Sequence, residues 1–318
     1  MSGKKKLAVI AIGGNSLIVG KKISVSDQYD AVRETTKHIA DVIESGWQVV
    51  VTHGNGPQVG FLMLRAEMAR RHTGLHILPL VSCVADTMGG IGYQIQQALH
   101  NELKKRGLPS NTVTLITQVL VDPNDPKFND PDKFVGEFYD DGKATEVREE
   151  HPDWTMKKDA NRGWRRVVPS PKPIEIIELD AVRSLADSGF NIVAAGGGGI
   201  PVLQKPDGSY VGVDAVIDKD LASRLLANKL GADLLVISTG VPQVAVNFGT
   251  EAERKLGKVD IAALGEYMAQ GQFPAGSMGP KIQSAIDFIK AGGKEVIITS
   301  PENLGQAFAR GAGTHVVP

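Results

Sequence analysis

The sequence predicts an α/β protein built on a largely parallel sheet with helices on both faces. Short β-branched runs alternate with longer amphipathic stretches, the pattern of strands joined by crossover helices. Several of the short runs are apolar throughout, as strands covered on both sides are. The helix-length stretches repeatedly close on a glycine.

Strands are expected at residues 6–12, 47–52, 113–121, 191–195, 234–239 and 295–299. Between the first two, residues 30–45 place Val32, Ile39, Val42 and Ile43 near one helical face, with Gly46 as the C-cap. The same helix-then-glycine pattern recurs at 180–188 before Gly189, 220–230 before Gly231 and 282–291 before Gly292. Residues 122–166 break the rhythm: they are rich in Pro, Asp and Lys and read as an exposed insertion.

A length of 318 residues suggests about two domains. With 42% hydrophobic and 22% charged residues, the chain is an ordinary globular one. Lys and Arg number 35 against 36 Asp and Glu, so no global basic field draws in nucleic acid. Cys83 is the only cysteine, which excludes an intrachain disulfide and a cysteine zinc site. The apolar run 7–12 is too short for a signal peptide core or a membrane span, so a cytoplasmic protein without membrane attachment is expected.

Glycine-rich corners follow strand candidates at Gly13-Gly14-Asn15, Gly54-Asn55-Gly56-Pro57, Gly196 to Gly199, and Gly276 to Lys281. Each alone is a tight turn. Four together, at the strand ends where parallel sheets bind ligands, point to phosphate held by backbone N–H groups and helix N-termini. Neither the dinucleotide fingerprint nor the P-loop pattern occurs. Lys281 sits just inside a helix after the last corner, and Lys219 lies close to Asp214, a partner or an N-cap.

These motifs, with 163–171, 213–220 and 275–281, resemble carbamate kinases of the amino acid kinase family along essentially the whole chain. The resemblance implies a three-layer α/β/α sandwich around an open, mainly parallel central sheet, with a small protruding lid subdomain at 122–166. It implies one domain, 1–318, whose N-terminal lobe (about 1–210) takes the phosphoryl acceptor and whose C-terminal lobe (about 211–318) takes nucleotide. The implied reaction is ATP + carbamate ⇌ ADP + carbamoyl phosphate, run toward ATP, by a homodimer. Mg²⁺ would be held by nucleotide phosphates and water, with no protein metal cage.

The resemblance also implies site residues. Lys133, Lys219 and Lys281 would neutralise the moving phosphoryl group, and Asp214 would orient lysines. Gly13, Gly14, Asn15, Gly54, Asn55, Gly197 and Gly198 would hold acceptor and phosphoryl oxygens. Lys219, Thr239, Val244, Ala275, Gly276, Met278, Gly279 and Lys281 would line the nucleotide. Phe134 and Glu137 stand where prolines are expected, and Ala245 where a tyrosine is. A kinase of another small carboxylate or phosphonate, or a non-catalytic nucleotide or carbamoyl-phosphate sensor, are the alternatives. His53, His72, His76 and His100 fit no metal spacing and read as surface or loop residues.

Overall fold

The computed structural model describes residues 5–13, 17, 24–159, 162–274 and 277–318. The chain runs β1 (Leu7–Ile12), α1 (Val25–Glu44), β2 (Gln48–His53), α2 (Gly56–Thr73), α3 (Leu80–Lys105), β3 (Thr112–Thr114) and β4 (Gln118–Val121). It continues through β5 (Lys133–Tyr139), α4 (Asp141–Glu150), β6 (Thr155–Lys158), β7 (Trp164–Val168), β8 (Pro173–Ile176), α5 (Leu179–Asp187), β9 (Asn191–Val193), β10 (Ile200–Gln204) and β11 (Tyr210–Gly212). The remainder is α6 (Lys219–Leu230), β12 (Leu234–Ser238), β13 (Ala245–Val246), β14 (Arg254–Lys255), β15 (Lys258–Asp260), α7 (Ile261–Ala269), α8 (Met278–Lys290), β16 (Glu295–Thr299), α9 (Leu304–Phe308) and β17 (Thr314–Val317).

Eight strands form the central sheet in the order β15-β17-β16-β12-β1-β2-β9-β3. Its six strands from β16 to β3 are mutually parallel, and β17 joins β16 antiparallel. Alternate residues of each strand face opposite ways. Val9, Val50, Leu235 and Ile298 pack with α6 and α8 through Leu226, Ile282 and Phe288. On the other face, Ile10, Val51, Val236 and Ile297 pack with α1, α3 and α9 through Ile39, Leu99 and Leu304. Helix, sheet and helix therefore form three layers, as the sequence leads one to expect.

The single strand expected at 113–121 is two strands in two sheets. The Thr117 hydroxyl donates to the Leu115 carbonyl and accepts from the Ala195 N–H, turning the chain between them. β3 stays in the central sheet, while β4 joins the sheet β11-β10-β4-β8. Two long helices, α2 and α3, carry no clear signature in the sequence. Gly89, Gly90 and Gly92 blur the pattern of α3, and Gly92 is needed there: a Cβ would lie 2.3 Å from Thr114 Cγ2. Residues 133–168 form a separate three-stranded sheet, β5-β7-β6, with α4. Among the described residues no helix is long and apolar enough to cross a membrane.

Candidate active site

The carboxyl ends of β1, β2, β9 and β12 converge on one crevice, and glycines permit their approach. A Cβ on Gly13 would sit 2.9 Å from the Ser238 carbonyl oxygen. After β9, Gly197 adopts φ 67°, and a Cβ there would lie 2.1 Å from the Asn55 amide nitrogen. Asn55 is itself buried and donates to Thr87 Oγ1 at 2.9 Å. A Cβ on Gly198 would meet the Ile217 carbonyl oxygen at 2.3 Å. Gly14, Asn15, Ala275 and Gly276 lie outside the described residues.

His53 closes β2 and is fully buried, which corrects its expected surface or loop position. It lies against the first glycine of the third corner: a Cβ on Gly196 would be 2.2 Å from His53 Nε2. Burial lowers the His53 pKa to about 4, against the opposing pull of the Gly54 and Met88 carbonyls. The ring stays neutral near pH 7. His72, His76 and His100 are exposed.

The crevice contains a cavity of about 270 Å³. Lys133, Arg165, Lys219 and Lys281 line it against Asp218 and Asp220, four cations facing two carboxylates. Asp218 caps α6, its Oδ1 accepting the Asp220 N–H at 2.9 Å. Asp220, on the first turn, is thereby turned inward and 4% exposed. Its Oδ1 takes Lys219 Nζ at 2.6 Å and its Oδ2 takes Lys281 Nζ at 3.0 Å. Burial pushes the Asp220 pKa up, but the two ammonium groups prevail and hold it at about 2. The third lysine arrives from β5: Lys133 Nζ lies 3.0 Å from Asp218 Oδ2.

The structure thus brings Lys133, Lys219 and Lys281 together, but it does not bring Asp214 to them. Asp214 is half-exposed, pairs with Arg166 at 3.5 Å and does not line the cavity. Asp218 and Asp220 hold the lysines instead. Arg165 is a lining residue that sequence reasoning left out; its Nε donates to the Gly136 carbonyl at 3.0 Å. Burial lowers its pKa, with Asp159 opposing.

A second cavity of about 280 Å³ shares Ser277 and Lys281 with the first. Thr239, Ala245, Phe248, Phe273 and Met278 line it, so Thr239 and Met278 stand where expected. Val244 is fully buried behind it, its N–H donating to Thr314 Oγ1 at 2.9 Å. Gly279 packs under the loop, where a Cβ would lie 3.1 Å from the Pro274 carbonyl oxygen. Asn247 takes a left-handed φ of 54°, and the next residue, Phe248, stands 67% exposed at the cavity rim.

Among the described residues the one group of side chains close enough to share a metal ion is Glu67, Glu150 and His151. It lies at the foot of α4, outside both cavities, and its carboxylates already pair with Arg71 at 2.9 and 2.7 Å.

The chain matches the amino acid kinase family over residues 6–300. It is 49% identical over 314 residues to the carbamate kinase-like protein YahI of Escherichia coli (strain K12), covering 98% of this chain and 99% of that one. It is 47% identical over 311 residues to the carbamate kinase of Pyrococcus horikoshii, covering 98% of each. The structure of carbamate kinase from Giardia lamblia bound to AMP-PNP superimposes with a TM-score of 0.93 at 40% identity, over 100% of this chain and 99% of that one. On the family match over residues 6–300 and these near full-length likenesses, the chain belongs to the amino acid kinase family, on the branch of the carbamate kinases.

Proposed function

We propose that this protein is a carbamate kinase, moving a phosphoryl group between ATP and carbamate. The observation that carries this reading is the buried Asp220 carboxylate, which sets Lys219 and Lys281 side by side in a small cavity that opens onto a more apolar one. The names of the relatives support it.

The chemistry is electrostatic. An oxygen of carbamate forms the new bond to the γ-phosphorus as the bond to the β–γ bridging oxygen breaks, and the electron pair leaves with ADP. The attacking oxygen is already anionic, so no general base is required. The obstacle is repulsion: two like charges about 4 Å apart oppose each other by about 4 kcal/mol at an effective dielectric of roughly 20. Phosphoryl transfer is mainly positioning and charge neutralisation. Lys219 and Lys281 serve the γ-phosphoryl and the leaving bridge, and Lys133 closes on the phosphoryl from β5. Gly13, Gly54 and the Asn55 amide, with Gly14, Asn15, Gly197 and Gly198, frame the acceptor.

The fit to magnesium is poor for a protein-held ion. Both Asp220 oxygens are taken by lysines, and Asp218 is divided between Lys133 and the helix cap. Magnesium enters with the nucleotide, held by phosphate and water. In this reading residues 1–210 serve the acceptor, 211–318 the nucleotide and 122–166 the lid. The reading includes a homodimer. It works in the cytoplasm and runs toward ATP.

The test is ATP formation from ADP and carbamoyl phosphate with Mg²⁺, in the wild type and Lys281→Ala. Rapid turnover that falls in the variant by about 100-fold or more supports the reading. Folded protein without turnover would exclude it.

A further inference from the structure

A third cavity, of about 560 Å³, lies at the opposite edge of the central sheet. Lys6 precedes β1, Trp47 precedes β2, Asp233 precedes β12 and Glu295 opens β16, so it gathers the amino ends of strands whose carboxyl ends carry the phosphate corners. Strands of five or six residues at about 3.3 Å each put roughly 16–20 Å between the two edges.

Its charges are unequal and differently committed. Lys6, Lys258, Lys294 and Arg310 face Asp233 and Glu295. Both carboxylates are fully engaged. Asp233 accepts the Leu7 N–H at 3.0 Å on one oxygen and Lys294 on the other. Glu295 accepts His315 Nδ1 at 2.7 Å and Arg310 at 3.3 Å. A metal cation would find no free carboxylate oxygen. Lys258 and Lys6 have no carboxylate within ion-pair distance among the described residues, although Lys6 adds a longer-range pull on Asp233, so both ammonium groups keep donors for an anion. One wall is apolar and aromatic: Trp47 and Phe308 meet edge to face at 5.6 Å, and Lys6 lies 5.5 Å over the Trp47 ring.

We propose that this cavity binds a small organic anion carrying a phosphate group beside a flat apolar part, with a nucleoside monophosphate as the member used to test it. Lys6 and Lys258 take the phosphate, and the Trp47–Phe308 wall takes the ring. The inference does not depend on which acceptor the kinase site uses.

Calorimetric titration with uridine monophosphate and with inorganic phosphate tests it, on the wild type, a Lys6→Ala/Lys258→Ala double variant and Lys281→Ala. Both substituted cavity lysines are exposed, so the double variant keeps its fold. The expected result is one site per chain for the nucleotide, unchanged in Lys281→Ala and weakened at least roughly tenfold in the double variant. Inorganic phosphate binds more weakly with the same lysine dependence. Absence of heat at millimolar nucleotide overturns the proposal. So does binding lost in Lys281→Ala and retained in the double variant, which would place the ligand at the kinase site. Phosphate binding as tightly as the nucleotide would overturn the role of the aromatic wall.

Discussion

Asp220 Oδ2 and Lys281 Nζ stand 3.0 Å apart although 61 positions separate them in the chain. This contact ties the first turn of α6 to the first turn of α8, and Lys219 completes it from the other oxygen. Replacing the carboxylate by an amide of the same shape leaves two ammonium groups without their counter-charge. Asp220→Asn is therefore expected to lower kcat by about 100-fold. It should also cost roughly 3 kcal/mol of stability, the scale of breaking a buried pair. Asp214→Asn, at a half-exposed pair with Arg166, should change kcat by less than about threefold. Steady-state kinetics and urea unfolding of the two variants compare them directly; equal losses would remove Asp220 from its central place.

Phe248 offers an exposed aromatic face at the rim of the cavity that adjoins Lys281. The sequence has Ala245 where a ring is expected, and Phe248 lines the same cavity from three residues on. If it stacks on the base, Phe248→Ala should raise the KM for ADP by about tenfold or more, since base–aromatic stacking is worth about 1–3 kcal/mol. The kcat should hardly move. An unchanged KM would show that the base sits elsewhere.

His53 is buried neutral, with its pKa depressed to about 4 from 6.5. The unfolded chain binds that proton from about 6.5 downward and the native chain only near 4, so stability falls as pH drops through this window. It is fully present above it. The interval corresponds to about 3 kcal/mol. His53→Gln should flatten this part of the acid limb. Urea midpoints at neutral pH and near the lower end of the window, for both proteins, give the difference. Asp220, lowered to about 2, loses its contribution only below about 3.8, so the two effects separate.

Cys83 is fully buried in α3, and burial raises its thiol to about 11. The thiolate is the reactive form. Ellman's reagent at neutral pH should leave the native protein untouched and titrate one thiol after unfolding in guanidinium. Prompt reaction of the folded protein would mean that α3 opens readily.

Much of this architecture was legible because strands buried on both faces write themselves as unbroken apolar runs, and glycine after a helix marks its end. Of the three lysines, Lys281 is legible just inside a helix after a glycine corner, whereas Lys219 and Lys133 gain their place only from the family resemblance. The aspartate beneath them was not legible. Asp214, Asp218 and Asp220 lie within seven positions, and the choice depends on where α6 begins. Once Asp218 caps the helix, Asp220 must face inward and Asp214 is left with Arg166. His53 was misplaced because a polar residue ending a strand looks like the start of a loop. The glycine that lies against it, Gly196, comes more than 140 residues later. The break at Thr117 was hidden for the same reason: its partners are Ala195 and Ile200, across the sequence.

On the proposed chemistry, the division of the lysines between two bodies has a further consequence. Lys219 and Lys281 stand on helices packed against the central sheet, whereas Lys133 rides on the three-stranded sheet of residues 133–168. The contact of Lys133 Nζ with Asp218 Oδ2 at 3.0 Å joins the two already without ligand. Catalysis of transfer therefore hangs on one part-buried ion pair between the two bodies, and a substitution that loosens it would leave the positive charge around ATP incomplete.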